Sequence, residues 1–210
     1  IFALASGAMP SAVAIIRISG PRASQAAQTL TRKKKLPTPR TLSLRNIYDP
    51  LTKRKLDQCM IAWFPAPSSF TGEEVVELHV HGGHAVVKGV MQSLSSFPST
   101  RLAERGEFTR RAFERGKLDL LQVEGIADIV AADTPSQLQQ ALMQAGGEVS
   151  IKFDSWRKQI VHLLAHVEAT IDFGDDEEDV DDVEIYTSMI NKMDSLRQEI
   201  IHVLEDRRGK

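Results

Sequence analysis

The sequence predicts an α/β domain over residues 1–115, followed by an all-α domain of long helices over residues 116–210. Two patterns predict it. In the first half, short apolar runs rich in β-branched residues are bounded by glycine and proline, the mark of strands between turns. After about Gly116 the apolar residues recur every three or four positions, the mark of amphipathic helices. There is no internal repeat of solenoid length.

Taken in order, residues 12–19 (AVAIIRIS) are apolar and β-branched, and Gly20-Pro21 closes the run. Pro21 suits a helix first turn, and SQAAQTL continues a helix. LSLRNIY, CMIAWF and EVVELHVH are three further strand candidates, with loop-like TRKKKLPTPR and DPLTKRKLD around them. HAVVKGVMQSL follows Gly82-Gly83 as a helix. In the second half, LQVEGIADIVAA is helical, and Asp133-Thr134-Pro135 offers a cap and a helix start. An amphipathic stretch covers residues 136–171, with Gly146-Gly147 as a potential break. A last helix covers residues 183–204, where Ile185, Met189, Met193, Leu196, Ile200 and Val203 form one apolar stripe.

Composition narrows the function classes. The chain has 210 residues, 42% hydrophobic and 26% charged, which is ordinary for a globular protein. Its formal charge of −2 argues against nucleic-acid binding through bulk electrostatics, while leaving room for a local basic patch. A single cysteine, Cys59, excludes an internal disulfide. No apolar run is long enough to cross a bilayer, so no membrane partner is expected. The opening IFALASGAMPS has no basic n-region and no initiator Met, and reads as a mature or trimmed form.

The stretch FTGEEVVELHVHGGH carries the most chemistry. On a strand, Val76, Leu78 and Val80 face one side, and Val75, Glu77, His79 and His81 the other. A two-His, one-carboxylate metal site is conceivable, but alternate residues on a strand lie roughly 6.5–7 Å apart, so three in a row do not converge on one ion. The bland alternative is an edge strand with a polar face. That accounts for the histidines but leaves Glu77 in need of a partner. Gly82-Gly83 opens a helix and could expose backbone N–H groups, yet no G-x-G-x-x-G and no G-x-x-x-x-G-K followed by Ser or Thr occurs in the chain.

Four strings together, IIRISG, WFPAPSSFTGEEVVELHVHGG, GEFTRRAFERGKLDLLQVEGIADIV and AHVEATIDFGDDEE, resemble the MnmE family of tRNA modification GTPases, also called TrmE. The resemblance covers nearly the whole chain. It implies that the first domain is similar to the tetrahydrofolate-binding domain of aminomethyltransferases and forms the homodimer. It implies an all-α domain of long antiparallel helices after it, into which a G domain is inserted. In that family the protein works with the FAD protein MnmG on C5 of the tRNA wobble uridine, using a carbon from folate. The ligand implied is 5-formyltetrahydrofolate or 5,10-methylenetetrahydrofolate, and the motifs that match the family's contacts place it on Arg17, Glu77 and Lys117. A carboxylate such as Glu77 suits the adjacent amino and N–H donors of a pterin, and the cations suit carbonyls or the glutamate tail. GTP, Mg²⁺ and K⁺ would belong to the G domain, which is expected to begin beyond Lys210. No catalytic residue and no metal ligand is assigned within these residues. The phrasing LRNIYDP and ELHVHGG resembles mitochondrial members, which implies a mitochondrial location, with the bacterial cytoplasm as the alternative.

Several features have duller readings. Arg110, Arg111 and Arg115 read as a solvated helix face, with Phe108 and Phe113 in the core. Residues 32–35 and 53–55 read as basic surface loops, a phosphate contact with tRNA being the alternative. FGDDEEDVDDVE lacks the order of a calcium loop and reads as a connector. His162 and His166 read as a partly buried pair. Two other functions stay open on the residues alone. One is a self-sufficient folate-dependent one-carbon transferase; the other is a metal-dependent hydrolase using Glu77, His79 and His81.

Overall fold

The computed structural model describes residues 1–173 and 182–205. The chain divides into two compact units, residues 1–123 and 124–210. The acidic connector starting at Phe173 falls mostly outside the described residues.

The first unit is a five-stranded antiparallel sheet in the order β1-β2-β5-β4-β3. The strands are β1 (Phe2–Leu4), β2 (Ser11–Ser19), β3 (Ser43–Tyr48), β4 (Lys55–Phe64) and β5 (Val75–Gly82). Three differences from expectation stand out. β1 was not anticipated, because three residues cannot display a period of two. β4 starts at Lys55 rather than Cys59, a start the sequence hides because three of its first four residues, Lys55, Asp57 and Gln58, are polar and of low β-propensity. β5 lies in the middle of the sheet, not at an edge, so its polar face is flanked by β2 and β4.

The alternation along the strands sets the two faces. Ala14, Ile16 and Ile18 of β2, Val76, Leu78 and Val80 of β5, and Cys59 and Ile61 of β4 are all buried on one face. Helices α1 (Ala23–Thr31) and α2 (His84–Ser95) cover it. Ala23, Ala26 and Ala27 let α1 sit close to the sheet, and Leu30, Val87, Val90 and Leu94 complete the core. Each such buried aliphatic side chain contributes about 1.5–3 kcal/mol, which is why the register of β5 is strongly specified. Glu77 and His79 are thereby turned to the opposite face. There Arg17 and Ala62 flank Glu77, and Ile15 and Met60 flank His79. Helix α3 (Glu107–Glu114) follows.

The division between the units falls within α4 (Leu120–Ala131), and the second unit continues with α5 (Pro135–Ala145), α6 (Glu148–Phe173) and α7 (Asp182–Leu204). Thr134 and Gln137 form a reciprocal capping box with Pro135 in the first turn. Gly146-Gly147 does interrupt the helical stretch, separating α5 from α6. The apolar stripe of α7 is only partly covered. Met189 and Leu196 are buried, whereas Met193 and Val203 are exposed, and the side chain of Ile185 is outside the described residues. A groove of about 500 Å³ between α6 and α7 is lined by Leu163, Leu164, Val167, Leu196 and Ile200 among others. His162 and His166 are exposed rather than partly buried, with ring nitrogens 3.2 Å apart. No helix among the described residues is long and apolar enough to cross a membrane.

Candidate functional site

Glu77 finds its partner one strand away. Arg17, its register neighbour on β2, places both Nε and Nη2 at 2.9 Å from Glu77 Oε1. The other oxygen, Oε2, lies 3.5 Å from His79 Nε2. That imidazole nitrogen is buried and has no hydrogen-bond partner, an uncommon state for a polar atom removed from water. The Arg17 guanidinium sits 5.4 Å from the ring centre of Phe70 and 5.6 Å from that of Phe108. Cation–π contacts of this kind are worth about 0.5–2 kcal/mol each, according to desolvation. The result is a carboxylate held by a fixed cation, with two aromatic rings against that cation.

Phe70 and Phe108 were not among the anticipated site residues. Phe108 reads as core in the sequence, but lies half-buried against Arg17, and Phe113 is exposed. No local pattern marks an aromatic ring that will meet a cation from a distant strand.

Of the three arginines expected on a solvated face, Arg110 is exposed and pairs with exposed Glu104 and Glu114, whereas half-buried Arg111, and Arg115 from the exposed C-cap of α3, reach a buried carboxylate. Glu73 is buried at 7% side-chain exposure, and accepts from Arg111 Nη1, Arg115 Nη2 and Ser19 Oγ, each at 2.9 Å. Burial alone would raise the Glu73 pKa, but the hydrogen bonds from Arg111 and Ser19 outweigh it and the net shift is downward. Glu107, at 1% side-chain exposure, is gripped by Arg101 at 2.6 and 2.8 Å and by Arg111 at 3.1 Å. Those bonds, Arg101 first, hold its pKa at about 2. This network ties α3 to the 69–73 loop and to β2, and so fixes where Phe108 stands.

The Glu107 carboxylate makes stability depend on pH. Its folded pKa of about 2 lies below the ordinary 4.5, so its contribution is complete above about pH 4.5 and lost as pH falls towards 2. Urea midpoints measured from pH 5 to pH 2.5 should fall for the native chain and fall less steeply for Glu107→Gln. Parallel curves would remove Glu107 from the acid response.

Lys117 is exposed and makes no ion pair among the described residues. It lies beside Gly72, whose φ of +73° bends the 69–73 loop. A Cβ there would lie 3.4 Å from Lys117 Cγ and 3.3 Å from Arg115 Cδ. Arg17 and Glu77 are thus in direct contact, while Lys117 flanks the loop that delivers Phe70. His81 points elsewhere. Its Nδ1 is 2.8 Å from Asp57 Oδ1, and its backbone N–H donates to Asp57 Oδ2. Of the three residues of the metal alternative, Glu77 is therefore engaged by Arg17 and His81 by Asp57. Among the described residues no three potential ligands converge.

The comparisons with known proteins match both units. The family model described as GTP-binding protein TrmE N-terminus matches residues 1–117, and that of the MnmE helical domain matches residues 120–210. A mitochondrial 5-taurinomethyluridine-tRNA synthase subunit, GTPB3, from Danio rerio is 46% identical over 100% of this chain and 41% of its own length. The Homo sapiens protein of the same name is 51% identical over 84% of this chain and 36% of its own. The tRNA modification GTPase MnmE of a Bradyrhizobium strain is 48% identical over 97% of this chain and 45% of its own. The chain thus spans less than half the length of these relatives. On the match of both family models, in order and almost end to end, the chain belongs to the MnmE/TrmE family.

Proposed function

We propose that this chain is the folate-binding and dimerisation part of a tRNA modification GTPase. The observation that carries the folate reading is the Arg17–Glu77 pair, set against Phe70 and Phe108 with the unpartnered His79 Nε2 beside it. These residues fit a flat, donor-rich heterocycle. Arg17 occupies only one oxygen of Glu77, so Oε2 keeps lone pairs for the amino and N–H edge of a pterin. His79 Nε2 would gain the partner it lacks. Phe70 and Phe108 would border the ring, and Lys117 would meet a carbonyl or a glutamate tail. A bound 5-formyl- or 5,10-methylenetetrahydrofolate supplies the one-carbon unit; the residues here bind and orient it.

In the whole protein, GTP with Mg²⁺ and K⁺ would be handled by a G domain outside these residues. The activity would be modification of C5 of the wobble uridine, together with an MnmG-type FAD protein and tRNA. A second copy of this chain would complete a homodimer. A mitochondrial location is supported by the vertebrate relatives, whose names carry that word.

Calorimetric titration with 5-formyltetrahydrofolate tests the site. Glu77→Ala should lose about 1.5–3 kcal/mol of binding, the range for a charge-assisted hydrogen bond. The fold should be retained, because Glu77 lies on the face away from the core. Unchanged affinity would remove Glu77 from the ligand.

A further inference from the structure

Two basic runs, residues 32–35 and 53–55, are far apart in sequence and meet in the fold. Arg32 Nη2 donates to the Lys53 carbonyl at 2.8 Å, and its guanidinium lies 4.1 Å from the ring centre of Tyr48. All seven side chains are exposed, and none makes an ion pair among the described residues. We propose that this joined surface, built from the loop after α1 and the β3–β4 turn, binds the phosphodiester backbone of RNA.

The ordinary explanation of such residues is partial. Arg32 caps the C-terminus of α1, where the helix dipole favours cations. That dipole amounts to about half a negative charge, far short of seven cations. The one carboxylate in the turn, Asp49, is committed to holding it. Asp49 accepts from the Leu51 and Thr52 N–H groups, from Thr52 Oγ1 and from Ser93 Oγ. It therefore shapes the turn and leaves the lysines unpaired.

The display is also ordered. The Lys33 N–H donates to Gln28 O at 3.1 Å, and Gln28 Nε2 donates to Lys34 O at 2.9 Å. In the turn, the Lys53 N–H donates to Asp49 O at 3.1 Å and Lys53 Nζ to Pro50 O at 2.6 Å. A fixed backbone lowers the ordering cost of binding. The whole chain carries a formal charge of −2, so this concentration of cations is local and not a general excess. Guanidinium and ammonium groups displayed together suit a run of phosphates. The choice of RNA over other polyanions rests on the proposed role in tRNA modification.

The test is fluorescence anisotropy of a labelled unmodified tRNA transcript titrated with the 210-residue chain at several salt concentrations. One variant replaces Lys33, Lys34, Lys35, Arg54 and Lys55 with Gln, leaving Arg32 and Lys53 to hold the turn. Each lost phosphate contact should reduce the salt slope by about 0.7–0.9, so the five-residue variant should lose about 3.5–4.5 in slope and at least about tenfold in affinity near 0.1 M salt. A second variant, Lys33, Lys34 and Lys35 to Gln alone, should fall between. Folate titration and circular dichroism on the same samples report the pocket and the fold. Affinity within about twofold of the native chain, with folate binding intact, would overturn the surface and leave the folate reading standing. No tRNA binding by the native chain would overturn it too. So would binding to phosphatidylserine vesicles that is tighter than to tRNA and abolished by the same substitutions.

Discussion

Glu73→Ala should destabilise the first unit by about 3 kcal/mol, the lower part of the range for breaking a buried ion pair from one side. Two guanidinium groups, those of Arg111 and Arg115, lose their carboxylate, and Ser19 loses its acceptor. Arg111 keeps Glu107, which places the cost low in that range. The change should be felt beyond the 69–73 loop, because Arg111 and Arg115 anchor α3 and α3 carries Phe108. The chain has two tryptophans, Trp63 in the first unit and Trp156 in the second. In a Trp156→Phe background, urea unfolding read from Trp63 isolates the first unit. Glu73→Ala should lower the midpoint and also weaken folate binding. A midpoint unchanged within error would show that the network contributes no net stability.

The two glycines after His81 should respond very differently to the same change. A Cβ at Gly82 would lie 2.2 Å from Ser11 Oγ and 2.4 Å from the Ser11 carbonyl oxygen, and the latter is backbone. β2 and β5 would have to separate at that end. Gly82→Ala should therefore cost about 3 kcal/mol, the upper part of the overpacking range. At Gly83 nothing lies within 4 Å of the added atom, and the backbone is extended at φ −78° and ψ 138°. Gly83→Ala should cost under about 1 kcal/mol, chiefly as a poorer N-cap of α2. Equal midpoints for the two variants in the same urea experiment would refute the close approach of the strands.

These contrasts show where sequence reading reaches and where it stops. The alternation in EVVELHVH was legible because one face of β5 is buried and the other is not, and burial imposes the period. Glu77 could be singled out for the same reason, as a charge between two buried residues. Its partner could not be named from spacing, since strand order is a property of the whole sheet and β5 lies centrally. The Glu73 bonds to Arg111 and Arg115 span 38 and 42 residues, and no periodicity connects such positions. The arginines consequently read as an exposed face. Asp133-Thr134-Pro135 was legible because a cap is chemistry within four residues. The exposure of His162 and Met193 was not, because an amphipathic pattern records which face is apolar, not how fully a neighbour covers it.

The placement of β5 between β2 and β4 also orders assembly in time. β1 with β2 and β3 with β4 pair between near neighbours in the chain, whereas β2 meets β5 only across a long intervening segment. Non-local pairing of this kind is slow, because the entropy of closing the loop precedes the reward of contact. Until β5 enters, the two hairpins are separate, each with an open edge. Arg17 leaves the ribosome some sixty residues ahead of Glu77, its cation unanswered for the whole interval. A nascent chain halted before residue 75 would hold both hairpins, with Arg17 and Phe70 in place but without Glu77, His79 or Phe108 to complete the pocket.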